Sequence, residues 1–75
     1  MEHPGRLIWQ EIDSRNLTQK QAATLLGIGQ PFISDIINGR RDISVGVARR
    51  LEAAGIGSAI EWLHRQAEYD LVVAR

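Results

Sequence analysis

The sequence predicts an all-α fold, a compact five-helix domain, and three observations carry that expectation. Apolar residues recur at intervals of three and four, and the strict alternation of a half-buried strand is absent. Most of the apolar segments carry a start signal (Pro, Thr or Ser) and a stop signal (Gly or Asn). Every connection between them is short.

Helix 1 is expected from about Pro4 to Arg15, with proline in the first turn, where its missing N–H leaves no orphan. Leu7, Ile8 and Ile12 share a face, and Asn16-Leu17 is the break. Helix 2 is expected from about Thr18 to Leu26. Thr18 suits the N-cap, Gln21 can complete a capping box, and Gly27 suits the left-handed residue after the end. Ala22, Ala23, Leu25 and Leu26 supply its apolar side. Helix 3 begins near Gln30 or Pro31 and stops at Asn38-Gly39, with Ile33, Ile36 and Ile37 as one stripe. Helix 4 is capped by Ser44 and runs to about Ala54, carrying Val45, Val47, Ala48 and Leu51. After the loop Gly55-Ile56-Gly57, Ser58 caps helix 5, which reaches about Ala74. Its apolar residues form two faces, Ile60, Leu63, Ala67 and Leu71 on one, Trp62, Tyr69 and Val73 on the other.

The chain of 75 residues is read as one domain, residues 1–75, close to the size at which a core needs a partner or a dimer contact. It contains no cysteine, which removes disulfides and thiolate chemistry and agrees with a cytoplasmic location. No apolar run is long enough for a membrane span, and no secretory signal is visible at the start, so no membrane partner is expected. Formal net charge is zero, which argues against indiscriminate coating of nucleic acid. The charge is nevertheless segregated. Residues 28–50 hold four arginines (Arg40, Arg41, Arg49, Arg50) against Asp35 and Asp42, a balance of +2. Residues 51–75 hold Arg65 and Arg75 against Glu52, Glu61, Glu68 and Asp70, a balance of −2. His3 and His64 have no second ligand at metal-binding spacing and read as solvated or capping histidines. No Ser-His-Asp or paired-carboxylate arrangement emerges. The chain is therefore not expected to be an enzyme, and no cofactor, metal or small-molecule substrate is expected.

Helix 2, the glycine turn and helix 3, about residues 18–38, form a helix-turn-helix pattern. Such pairs also occur in α-domains that never touch DNA. When the unit does bind DNA, its second helix enters the major groove and its first residues face base edges. Pro31 then fixes the first turn of that helix, whose N–H groups favour a phosphate, and Arg40 and Arg41 can reach the phosphates flanking the groove. Helix 5, about residues 58–74, is the expected dimer element, because a monomer core can bury only one of its two faces; Tyr69, Leu71 and Val73 are the expected contacts. Core packing is expected for Trp62. Trp9 lies off the helix 1 stripe, so burial and exposure at a partner site are both open.

The stretch LTQKQAATLLGIGQPFISDIINGRRDIS closely resembles the phage-repressor (lambda repressor-like) helix-turn-helix of the Xre/Cro family. HPGRLIWQEI at the start resembles the His-Pro-Gly opening of the HigA (VapI-like) antitoxins, and EWLHRQAEYDL resembles their closing Trp-Leu-x-x-Gln-x-x-Tyr-Asp-Leu motif. The resemblance implies a homodimer that binds an operator in double-stranded DNA and pairs with a RelE-like ribonuclease toxin, HigB. It places Gln19 at a phosphate, Gln30 at a base, and Phe32 and Ser34 on the same exposed side, Phe32 against a thymine methyl. Ile33 and Ile36 match core positions; Asn38, Arg40 and Arg41 match the phosphate-contacting turn. Three positions depart from the pattern. Gly29 stands where Ser or Thr usually caps helix 3. Asp35 stands where a polar or basic base-contact residue is common, and either accepts from cytosine N4 or is repelled by phosphate. Gly55 replaces a bulky residue after helix 4, which suggests a looser loop. Three functions fit: an antitoxin and transcriptional repressor, a stand-alone prophage-type repressor, and a protein-interaction module that has lost DNA binding.

Overall fold

A computed structural model describes residues 2–73. They fold into α1 (Gly5–Ser14), α2 (Gln19–Leu26), α3 (Gln30–Ile37), α4 (Val45–Ala53) and α5 (Ala59–Val72), with no strand among them. The body measures 33 × 21 × 20 Å. The expected end of helix 5 at Ala74 lies outside the described residues; within them Val73 is the C-cap of α5. Among the described residues no helix is long and apolar enough to cross a membrane.

The starts are set by side chains the sequence singled out. Thr18 Oγ1 accepts from the Gln21 N–H at 3.1 Å, and Gln21 Oε1 accepts from the Thr18 N–H at 2.9 Å, the reciprocal capping box. Ser44 Oγ accepts from the Val47 N–H and Ser58 Oγ from the Glu61 N–H, both at 3.2 Å. At the entry to α1 the Gly5 N–H donates to His3 Nδ1 at 3.0 Å, so His3 is a capping histidine.

Four helices end the same way. The last turns of α1, α2, α3 and α4 each close with two reversed bonds: Asn16 N–H to Asp13 O and Leu17 N–H to Ile12 O; Gly27 to Thr24 and Ile28 to Ala23; Gly39 to Ile36 and Arg40 to Asp35; Gly55 to Glu52 and Ile56 to Leu51. This is the Schellman ending, and residues 16, 27, 39 and 55 take the left-handed backbone it requires. The loop after α4 is accordingly tight rather than loose. Ile56 is fully buried in it, and its carbonyl accepts from Trp62 Nε1–H at 2.6 Å.

The core is built from Ile8 and Ile12 of α1, Ala22, Ala23 and Leu26 of α2, Ile33 and Ile36 of α3, Val47, Ala48 and Leu51 of α4, together with Ile43, Ile56 and Trp62. Two expected core residues face water: Leu25 and Val45 are exposed. They are apolar neighbours of the buried stripe, but lie beyond the arc their short helices can cover. Trp9 is half-buried against the core, as are Leu7, Ile37 and Leu63. On α5 the Trp62 face is inward, joined by the polar Gln66. On the other face Ile60 and Leu71 point out, 77% and 82% exposed, while Leu63 is half-buried.

One close approach ties the first helix to the third. A Cβ on Gly5 would overlap the carbonyl oxygen of Ile36, so glycine alone lets the start of α1 lie against the end of α3. That is the physical content of the His-Pro-Gly opening. Pro4 sets the entry, Gly5 permits the approach, and His3 caps.

Candidate nucleic-acid interface

α2 and α3 are joined by residues 27–29. Gly27, at φ +70°, makes the reversal. The turn is locked from α4: Arg50 Nη1 donates to the carbonyl oxygens of Leu26 at 2.9 Å and Gly27 at 3.3 Å. A guanidinium on the last carbonyls of a helix also complements the negative end of its dipole. One of the four arginines that make the middle of the chain basic is therefore occupied within the fold. Nothing near Leu26 in sequence signals this, because the partners lie 24 residues apart.

α3 then presents a divided surface. Ile33 and Ile36 are buried, while Gln30, Pro31 and Asn38 are exposed and Ser34 and Asp35 partly so. Gly29 is the N-cap and supplies no side-chain bond, with Pro31 in the first turn. Gln19, at the first position of α2, is half-buried. The structure gathers Gln30, Pro31, Ser34 and Asp35 on α3, with Asn38 as its C-cap, and sets Arg40 and Arg41 just after its end.

Phe32 departs from expectation. At 3.6 residues per turn it lies roughly 160° from Ser34 around the helix, so the two do not share an exposed side. Phe32 is half-buried against the core, and the Arg41 guanidinium sits 4.3 Å from its ring centroid. That geometry is a cation–π contact, which holds a long cation over a rigid plane.

Asp35 is also differently placed than the sequence alone suggests. Its carboxylate meets Arg40 Nη1 at 3.4 Å, and its carbonyl accepts from the Arg40 N–H at 2.8 Å. The side chains are 39% and 66% exposed, so solvent screens the pair and its contribution to stability is less than about 1 kcal/mol. Its consequence is positional: the outer side of α3 carries a paired carboxylate. Asn38 Nδ2 turns back to donate to the Ser34 carbonyl at 2.9 Å.

The loop that follows is held from beneath. Ile43 is buried, and its N–H donates to Gln66 Oε1 of α5 at 2.9 Å. Gln66 Nε2 donates in turn to Asp70 at 3.0 Å. Sequence reasoning gave Gln66 no role. The available signal was a polar residue one turn after Trp62, on the face that carries Trp62 and Tyr69. His3 packs on the same loop: its ring lies beside Gly39, its Nε2 is 3.4 Å from Asp42, and Tyr69 meets it edge-on at 4.9 Å. Of the expected dimer residues, Leu71 and Val73 are exposed, and Tyr69 is half-buried through this contact.

A short helix with an apolar inner and a polar outer side, set by a pinned turn against its predecessor and followed by two arginines, defines a helix-turn-helix domain. The helix-turn-helix family model matches residues 10–56. The chain belongs to that family, in its Xre type, and its similarities lie with the HigA (VapI-like) antitoxins. Virulence-associated protein A′ of Dichelobacter nodosus is 41% identical over 70 residues, which is 92% of this chain and 61% of the relative, so the chain spans about three-fifths of that protein. Among solved structures, an antidote protein of a plasmid maintenance system from Nostoc punctiforme is 34% identical with a TM-score of 0.91, covering 97% of this chain and 80% of that one. Antitoxin HigA of Pseudomonas aeruginosa, solved with the higBA promoter, is 31% identical with a TM-score of 0.90 over the same shares.

Proposed function

We propose that this chain is the antitoxin of a HigBA-type pair and a transcriptional repressor. It binds a palindromic operator as a homodimer and neutralises a RelE-like ribonuclease toxin in the cytoplasm. The observation that carries DNA binding is the outward face of α3, polar from Gln30 to Asn38 and ending at Arg40 and Arg41. The P. aeruginosa HigA structure with promoter DNA supports it.

In this reading α3 lies in the major groove. Gln30, at the start, is placed to pair with N6 and N7 of adenine, and Ser34 reaches a base or a phosphate. Gln19 at the start of α2, and Asn38, Arg40 and Arg41 beyond α3, hold the backbone. Pairing with Arg40 lets Asp35 approach the phosphates without a bare negative charge.

Eight residues of α3 extend about 12 Å and cover few base pairs. A two-fold dimer doubles the contacts, with half-sites about one helical turn apart, ~34–36 Å between centres. The exposed end of α5, with Leu71, Val73 and the outer edge of Tyr69, is the proposed contact.

The test is a salt titration of binding to duplex DNA from upstream of the chain's own coding region and to a scrambled duplex. The parent should prefer the former. Arg40→Ala/Arg41→Ala should flatten the log–log salt slope by about 0.9 per lost phosphate contact. Equal, salt-insensitive binding to both would sink the reading in favour of an interaction module. For the dimer, Leu71→Asp should halve the mass in light scattering while circular dichroism stays helical. A helical dimer in that variant would move the interface elsewhere. Co-expression with the ribonuclease encoded alongside should restore growth; continued arrest would remove the toxin from the proposal.

A further inference from the structure

We propose that Gln66 is a positioning residue for DNA binding: from α5 it sets the loop that carries Arg40 and Arg41. The inference rests on the DNA-binding reading above and adds a residue that lies away from the recognition face.

Two of the loop's anchors bracket the arginines, beside the contacts that His3 makes with Gly39 and Asp42. One is the end of α3, where the Arg40 N–H is bound to Asp35 O at 2.8 Å. The other is Ile43, buried in the core, whose N–H is bound to Gln66 Oε1 at 2.9 Å. Arg41 lies between them, two residues from Ile43, with its guanidinium over Phe32. The path of the backbone at Arg40 and Arg41 is thus determined at both ends, and the second end belongs to α5.

Gln66 is 5% exposed on a helix face otherwise led by Trp62. An apolar side chain there would fill the space without desolvating an amide. Glutamine supplies what an apolar residue cannot, an acceptor for a buried N–H that has left helical geometry. The amide is oriented by its second bond, because Nε2 donates to Asp70 at 3.0 Å and so directs Oε1 at Ile43. A buried amide satisfied on both sides specifies one loop position, where dispersion contacts alone would tolerate several. α5 packs principally on α4. The Gln66 bond is therefore a direct polar link from α5 to the arginine loop.

The experiment uses the full chain and a random-sequence duplex at low salt. Compared are the parent, Gln66→Met, Arg40→Ala/Arg41→Ala, and the three changes combined. Gln66→Met removes the acceptor at nearly constant volume. It should reduce the salt slope by about 0.9–1.8, the loss of one to two phosphate contacts, and should add little on the double-arginine background. A parental slope, or a loss that adds in full on that background, would overturn the positioning role and leave DNA binding intact. Absence of parental binding would overturn both. If Gln66→Met does not fold, Gln66→Glu/Asp70→Asn decides. It reverses donor and acceptor between the two positions, keeps an acceptor toward Ile43 and preserves net charge. Protection of the Ile43 amide from hydrogen exchange with a parental slope supports the role; loss of slope despite that protection overturns it.

Discussion

α3 and α4 end in the same backbone motif and use it for opposite purposes. At the end of α4 the residue after the left-handed glycine is Ile56, fully buried and capped by the Trp62 indole. At the end of α3 the corresponding residue is Arg40, exposed and paired with Asp35. The apolar residue is the usual companion of this ending, because it packs back over the last turn; Leu17 and Ile28, after α1 and α2, follow that rule by packing on the core. α3 alone among these four directs a cation outward. A motif that elsewhere closes the core here aims charge at whatever α3 faces.

The buried ending is the more costly of the two to disturb. Ile56→Ala should cost about 2–5 kcal/mol, because the side chain is fully buried in the core and its removal leaves a cavity. Urea unfolding measures this, and a loss below 1 kcal/mol would mean that the loop after α4 repacks freely. At the start of α3, Gln30→Ala should relax discrimination at one operator position by ~1–3 kcal/mol while random-duplex binding barely changes. Equal losses on both duplexes would make Gln30 a backbone contact.

Arg40→Ile gives α3 the same ending as α4. Its expected signature is a split: stability within about 0.5 kcal/mol of the parent, as for an exposed position, and a salt slope lower by about 0.9. A slope that does not move would take Arg40 out of the interface. The smallest effect expected is that of Asp35→Asn, which releases a screened surface pair worth less than about 1 kcal/mol. It should raise affinity for all sequences slightly if the carboxylate only restrains Arg40. A changed preference at one base pair would instead make Asp35 a reader of cytosine.

The helices and their ends were legible because their causes are local. Thr18 with Gln21, Ser44, Ser58 and Gly27 act within four residues of themselves, and the structure sets the helix bounds within a residue or two of those positions. Ile56 was misread as part of a loose loop for the same reason. It follows the last helical residue, where periodicity has nothing to say, and only the closing bonds draw it inward. The candidate site was legible as a list but not as an arrangement. Phe32 and Ser34 are near in sequence yet on opposite flanks, and Asp35 reads differently once Arg40 is across from it.

The sequence by itself determined that this chain makes five short helices and that the second and third form a helix-turn-helix, since capping hydrogen bonds, left-handed glycines and apolar periods each depend on a few neighbouring residues. It also determined that α5 has two apolar faces. It pointed Trp62 at the core, where the structure buries it, but did not determine how far the rest of either face is covered, because that depends on what the other helices and Ile56 offer in return. Only the tertiary structure joined Arg50 to Leu26, Gln66 to Ile43 and His3 to Asp42, across 24, 23 and 39 residues. The first two form where packing leaves a particular carbonyl or N–H unsatisfied and the third where it brings two side chains together, and such places exist only once the helices have assembled.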